Sequence, residues 1–104
     1  MNNEKYAMIW AIVNKGYADT VMSAARSAGA KGGTIVNARG TGDKDAEKVL
    51  GFVIEPEKDL VLIIAERSLQ TEILKQINSA AGLSQDGKGI VFALPVDDVV
   101  GGSV

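Results

Sequence analysis

Tyr6-Ala7-Met8-Ile9-Trp10-Ala11-Ile12-Val13 is an uncharged, apolar run of strand length, closed by the turn-forming residues Asn14-Lys15-Gly16. A strand with one face in water alternates apolar and polar side chains, because successive residues point to opposite sides of the sheet. This run does not alternate. Leu60-Val61-Leu62-Ile63-Ile64-Ala65 repeats the pattern in the second half of the chain. Two strands are therefore expected to be apolar front and back, in a sheet whose two faces both need cover.

Outward from the first strand the period changes. Tyr17, Ala18, Val21, Met22, Ala25 and Ala28 share one helical face, Asp19 suits the first turn, and Gly29 stops the helix. After a Gly-rich turn, Thr34 to Ala38 reads as a short β-branched strand that ends at Arg39-Gly40-Thr41-Gly42. Asp43 to Lys48 reads as a charged loop. Val49 to Ile54 is a further apolar run, interrupted by Gly51, and Glu55-Pro56-Glu57-Lys58-Asp59 supplies a turn, so residues 49–65 are predicted to form a hairpin. Ser68 is placed as the N-cap of a second helix, with Leu69, Ile73, Ile77, Ala80 and Ala81 as its buried stripe and Gly82 as its end. A polar turn from Leu83 to Lys88 leads into the last strand, Ile90 to Leu94, and the residues from Pro95 form a tail.

Strand, helix, strand, repeated once, is the split βαβ plan: an α+β, ferredoxin-like βαββαβ fold, here with an extra hairpin arm. The 104 residues make one domain, 1–104, because two would leave each half too little surface to bury. Both helices of this plan pack on one face of the sheet, so the apolar helix-free face is left to water in an isolated chain. At about 25 cal/mol per Å², several hundred Å² of wet apolar surface forfeits on the order of ten kcal/mol, comparable to the stability of a small domain. Self-association removes that cost. The alternative is that the tail and the 49–54 arm fold back over the same face.

The composition narrows the chemistry. With no Cys and no His there is no thiol nucleophile, no disulfide and no imidazole acid-base catalysis, and zinc sites of the usual kind are excluded. A net charge of −2, with Lys and Arg dispersed, argues against a nucleic-acid partner. No run is long enough for a transmembrane segment, and Asn2-Asn3-Glu4 is not the flank of a signal peptide, so the expected location is cytoplasmic. Two segments are richer in glycine and polar groups than packing demands: Asn37-Ala38-Arg39-Gly40-Thr41-Gly42 and Ser84-Gln85-Asp86-Gly87-Lys88-Gly89. Glycines let backbone N–H groups approach an anion, and Arg39 and Lys88 add charge, although each segment also serves as an ordinary turn.

These residues resemble the nitrogen regulatory P-II family over nearly the whole chain. Ala11 to Gly40 is similar to the family's first strand, helix and second strand, with matching spacing through Gly29, Thr34 and Arg39-Gly40. Gly40-Thr41-Gly42 is similar to the glycine pair at the base of the family's T-loop, and Asp86-Gly87-Lys88 to its B-loop. Ile90 to Val99 resembles the ending of a short, divergent P-II-like branch found in bacteria. The resemblance implies a homotrimer with inward-facing sheets and an adenine-nucleotide effector, not a cofactor, between subunits. It assigns ligand binding to Thr34, Arg39, Gly40, Thr41, Gly42, Asp86, Gly87, Lys88 and Gly89. It also implies a regulated partner protein, a transporter or an enzyme, met through the 41–48 loop.

Three departures qualify what is expected. ATP-binding members carry a basic residue after the Gly-x-Gly pair and others near the C-terminus, where this chain has Asp43 and an acidic or small tail. No Tyr, Ser or Thr lies between Asp43 and Lys58, so the usual uridylylation or phosphorylation switch has no acceptor. Lys44 stands near the place of the glutamine that serves magnesium and 2-oxoglutarate, so classical nitrogen sensing is not expected. The expected function is a non-enzymatic effector-binding regulator. Its alternatives are a ligand-free trimeric scaffold and an acylphosphatase-like hydrolase using Arg39 for phosphate and Asn37 to orient water.

Overall fold

The computed structural model describes residues 5–42, 44–52 and 55–102. Strand β1 is Tyr6–Asn14, helix α1 is Ala18–Ser27, β2 is Thr34–Arg39, α2 is Lys44–Leu50, β3 is Glu57–Glu66, α3 is Gln70–Ala81 and β4 is Gly89–Val96. The strands form one antiparallel sheet in the order β2-β3-β1-β4, the spatial order of a split βαβ plan. The two apolar runs therefore become the central strands, where both hydrogen-bonding edges are satisfied. Ile9 stands opposite Ile63 and Ala93, and Trp10 opposite Leu62 and Phe92.

The pleat sorts each central strand into two rows. Ile9, Ala11 and Val13 of β1 and Val61, Ile63 and Ala65 of β3 are buried under α1 and α3, against Val21, Met22 and Ala25 and against Ile73, Ile77 and Ala81. The other row carries Met8, Trp10 and Ile12, with Leu60, Leu62 and Ile64 beside them, and no helix covers it. On β4 the same face presents Ile90, Phe92 and Leu94, all exposed, and Phe92 stacks on Trp10 with ring centroids 6.0 Å apart. The apolar helix-free face expected from the sequence is thus present in the chain. None of the described tail residues 97–102 is buried, Val99 being 36% and Val100 98% exposed.

Four expectations change. Among the described residues the hairpin arm is absent: Lys44–Leu50 is a helix, and β3 pairs with β1 and β2 instead of with a preceding arm. Positions 43, 53 and 54 of that reading lie outside the described residues. Asp45 and Glu47 early and Lys48 late complement the dipole of α2. Gly51, at φ +78°, ends it by donating its N–H to the Glu47 carbonyl at 2.8 Å. Ser68 is no N-cap either, because Arg67–Leu69 forms a 3-10 turn and α3 begins at Gln70 without a side-chain cap. Tyr17 and Ala80, expected on buried faces, are exposed. Finally, Pro95 and Val96 belong to β4; as β4 is an edge strand, the missing N–H of Pro95 breaks no pairing on its open side.

Gly29 and Gly82 do end their helices in positive φ, as their positions predicted. Among the described residues no helix is long and apolar enough to cross a membrane.

Candidate functional site

Antiparallel pairing brings the end of β2, the start of β3, the end of β1 and the start of β4 to one end of the sheet. Both glycine-rich segments open from that end, but from opposite edges. Gly40 to Gly42 leave β2, and Asp86 to Gly89 lead into β4, with two strands between them. At about 4.8 Å per strand, the two edges stand roughly 14 Å apart. A single phosphate or carboxylate cannot touch both loops within a single chain.

At the β2 edge, Gly40 donates its N–H to the Pro56 carbonyl at 2.8 Å, which pins the chain as it turns out of the strand. A Cβ on Gly40 would stand 3.1 Å from Lys58 Cε, so the glycine makes room for that lysine. Thr34 lies opposite Leu62 on the helix-free face. Arg39 is five residues on, and the pleat turns it to the opposite face. There it is largely exposed and pairs with Glu55 at 2.7 Å. Thr41 is exposed and Gly42 half-buried.

At the β4 edge, Asp86 and Gly87 are exposed and Lys88 is half-buried. Gly87 has φ +77° with open space around it, while Gly89 has φ +131° and lies against β1, where a Cβ would run into the Ile12 carbonyl oxygen. A shallow groove adjoins this loop between α3 and β4, lined by Leu74, Asn78, Leu83, Gly89, Ile90 and Val91.

Two residues outside both glycine-rich segments connect the edges. Lys58 Nζ donates to Asn14 Oδ1 at 2.7 Å, and Asn14 Nδ2 donates to the Gly87 carbonyl at 3.1 Å. Lys58 and Asn14 are cross-strand partners, beside Ala38 of β2, on the helix-free face. Just behind them, buried Asp59 accepts the Gly16 N–H at 3.0 Å and fixes the turn after β1. Lys15 pairs with Glu57 at 3.2 Å. The ion pairs of Lys15 and Arg39 leave Lys58 bonded to a neutral amide. Among the described residues no cluster of acidic side chains could hold a metal ion.

The arrangement offers an ammonium, a second lysine and two glycine turns around one sheet end. That suits an anion. Arg39, the phosphate ligand of the hydrolase alternative, faces away from Lys58 and pairs with Glu55.

No curated protein matches the chain significantly. Among solved structures, it is similar to the crystal structure of Arabidopsis thaliana PII bound to citrate, with TM-score 0.74 and 27% identity over 93% of this chain and 82% of that one. The family model for nitrogen regulatory protein P-II matches residues 6–101. Almost the full length is covered, through both glycine loops and all four strands, and the chain belongs to the nitrogen regulatory protein P-II family.

Proposed function

We propose that this P-II-like regulatory signalling protein works as a cytoplasmic homotrimer that binds an anionic effector, an adenine nucleotide or a related anion, where the edges of neighbouring copies meet. One observation carries the reading: the two glycine loops share a sheet end but sit on opposite edges. A site that uses both is complete only when the β2 edge of one copy lies against the β4 edge of another. The apolar helix-free face supplies the driving force for that association, because it leaves Val36, Ile90, Phe92 and Leu94 exposed to water.

Lys58 and Lys88 supply charge, Thr41, Gly42 and Gly87 to Gly89 supply close backbone N–H groups, and the groove beside Gly89 offers apolar walls to a flat ring. The citrate bound to the Arabidopsis relative is likewise an anion. With Arg39 engaged by Glu55 and Asp97 and Asp98 in the tail, cationic charge at the site is sparse. A monophosphate or carboxylate is therefore favoured over a triphosphate.

The partner protein is met through residues 41–48, whose greater part lies in helix α2, and their continuation. Helix α2 and the residue beyond its terminal glycine present Val49 at 84%, Leu50 at 54% and Phe52 at 60% exposure, which is the kind of apolar surface a target would cover.

Isothermal titration with ATP, ADP, AMP and cyclic AMP tests the effector. Lys88→Ala is expected to weaken the binding of whichever ligand titrates by about tenfold, the loss of one charge-assisted hydrogen bond, with assembly intact. Unchanged affinity would remove the 86–89 loop from the site. Silence from all four nucleotides would favour the second reading, a ligand-free trimeric scaffold, for which the sparse cationic charge is the supporting observation.

A further inference from the structure

Asn14 stands between the two edges of the site and belongs to neither glycine loop. The β1–β4 ladder stops at Val13 opposite Gly89. One residue further on, the Asn14 side chain takes over from the backbone by donating to the Gly87 carbonyl at 3.1 Å. Its other end accepts from Lys58 Nζ at 2.7 Å. An amide has one accepting and one donating end, so turning it over would set its NH₂ against the ammonium and its oxygen against the carbonyl. Each contact thus fixes the other.

We infer that Asn14 is the positioning residue of the anion site: it holds the Lys58 ammonium in place and, through Gly87, sets the conformation of the loop that presents Lys88. The inference rests on the anion reading above and adds the element that makes the site ready before a ligand arrives. A lysine ammonium has three N–H donors. Among the described residues Asn14 takes one, which leaves two for an anion. Because Asn14 is neutral, it orients Lys58 without neutralising it, as a carboxylate at the same place would. A charge held ready in this way spares the ligand the cost of immobilising a flexible side chain.

Two variants separate the two ends of the amide. Asn14→Leu removes both contacts, and Asn14→Asp keeps an acceptor for Lys58 but loses the donor to Gly87. The measurements are the NMR signals of the Lys58 side chain, amide hydrogen exchange at residues 87–89, and calorimetric titration with AMP and with inorganic phosphate. In Asn14→Leu, Lys58 is expected to lose its ordered signal, exchange at 87–89 to rise about tenfold, and AMP affinity to fall about tenfold, each the equivalent of one hydrogen bond to a loop or a charge. In Asn14→Asp, Lys58 stays ordered while the loop loosens. The inference is overturned if Asn14→Leu leaves both Lys58 and the loop as in the wild type, or if AMP binds it with unchanged affinity. Should Asn14→Leu fail to fold, wild-type exchange at 87–89 in Asn14→Asp overturns it equally. If neither AMP nor phosphate titrates onto the wild type, the anion reading falls; the NMR and exchange results then still decide whether Asn14 holds Lys58 and the loop.

Discussion

Gly89→Ala is expected to destabilise the protein by about 3–5 kcal/mol, the sum of a backbone penalty and a steric one. At φ +131° the residue occupies a region that side chains avoid, and its missing Cβ is where β4 lies against the Ile12 carbonyl of β1. The oxygen belongs to the central strand of the sheet, so it cannot move aside as the end of a flexible side chain would. Relief requires lifting the start of β4, which removes the Val13–Gly89 pair and the anchorage of the adjoining loop. Gly87→Ala is the matched control. Its φ is +77°, with nothing near the added atom, and only the left-handed penalty of about 1–2 kcal/mol applies. Urea unfolding at one fixed protein concentration gives both values, the concentration being held because assembly contributes to apparent stability. Equal losses in the two variants would show that the close approach of β4 to Ile12 does not matter.

Leu62→Asp is expected to abolish self-association. Leu62 sits mid-sheet on the helix-free face, with Trp10 on one side and Thr34 on the other, so a carboxylate there would be buried by any partner that covers the face. An unpaired buried charge costs several kcal/mol per copy, enough to move a micromolar assembly to monomers by a factor of about a thousand or more. Ser23→Asp, on the exposed side of α1, is the control and should leave the assembly unchanged. Light scattering decides the outcome: three chains for the wild type and Ser23→Asp, one for Leu62→Asp. A wild-type mass of one chain would refute the trimer and with it the completion of the site between copies.

The elements that carry long, regular patterns were legible in the sequence. β1 and β3 are continuous apolar runs, and α1 and α3 show a clear stripe ended by Gly29 and Gly82 in positive φ. The run 49–54 reads as a strand from the sequence because a short apolar run fits a strand as well as the end of a helix. Length does not arbitrate, whereas Asp45 and Glu47 early and Lys48 late suit a helix dipole. In the candidate site, both glycine loops were visible as local motifs, but their placement on opposite edges was not, since it depends on strand order. The direction of Arg39 could have been foreseen: Thr34 and Arg39 are an odd number of residues apart in one strand, so they face opposite ways. Asn14 and Lys58 left no local trace, because the two positions are 44 apart and meet only through the β1–β3 register.

The stack of Trp10 on Phe92 makes the molecule its own optical gauge. The chain has one tryptophan, and it lies on the face that neighbouring copies are proposed to cover. Its indole emission should shift to the red when dilution separates the copies and lets solvent reach the ring. The midpoint of that shift would give the dissociation constant without any label, and an emission maximum that ignores dilution while scattering reports dissociation would place the contact elsewhere.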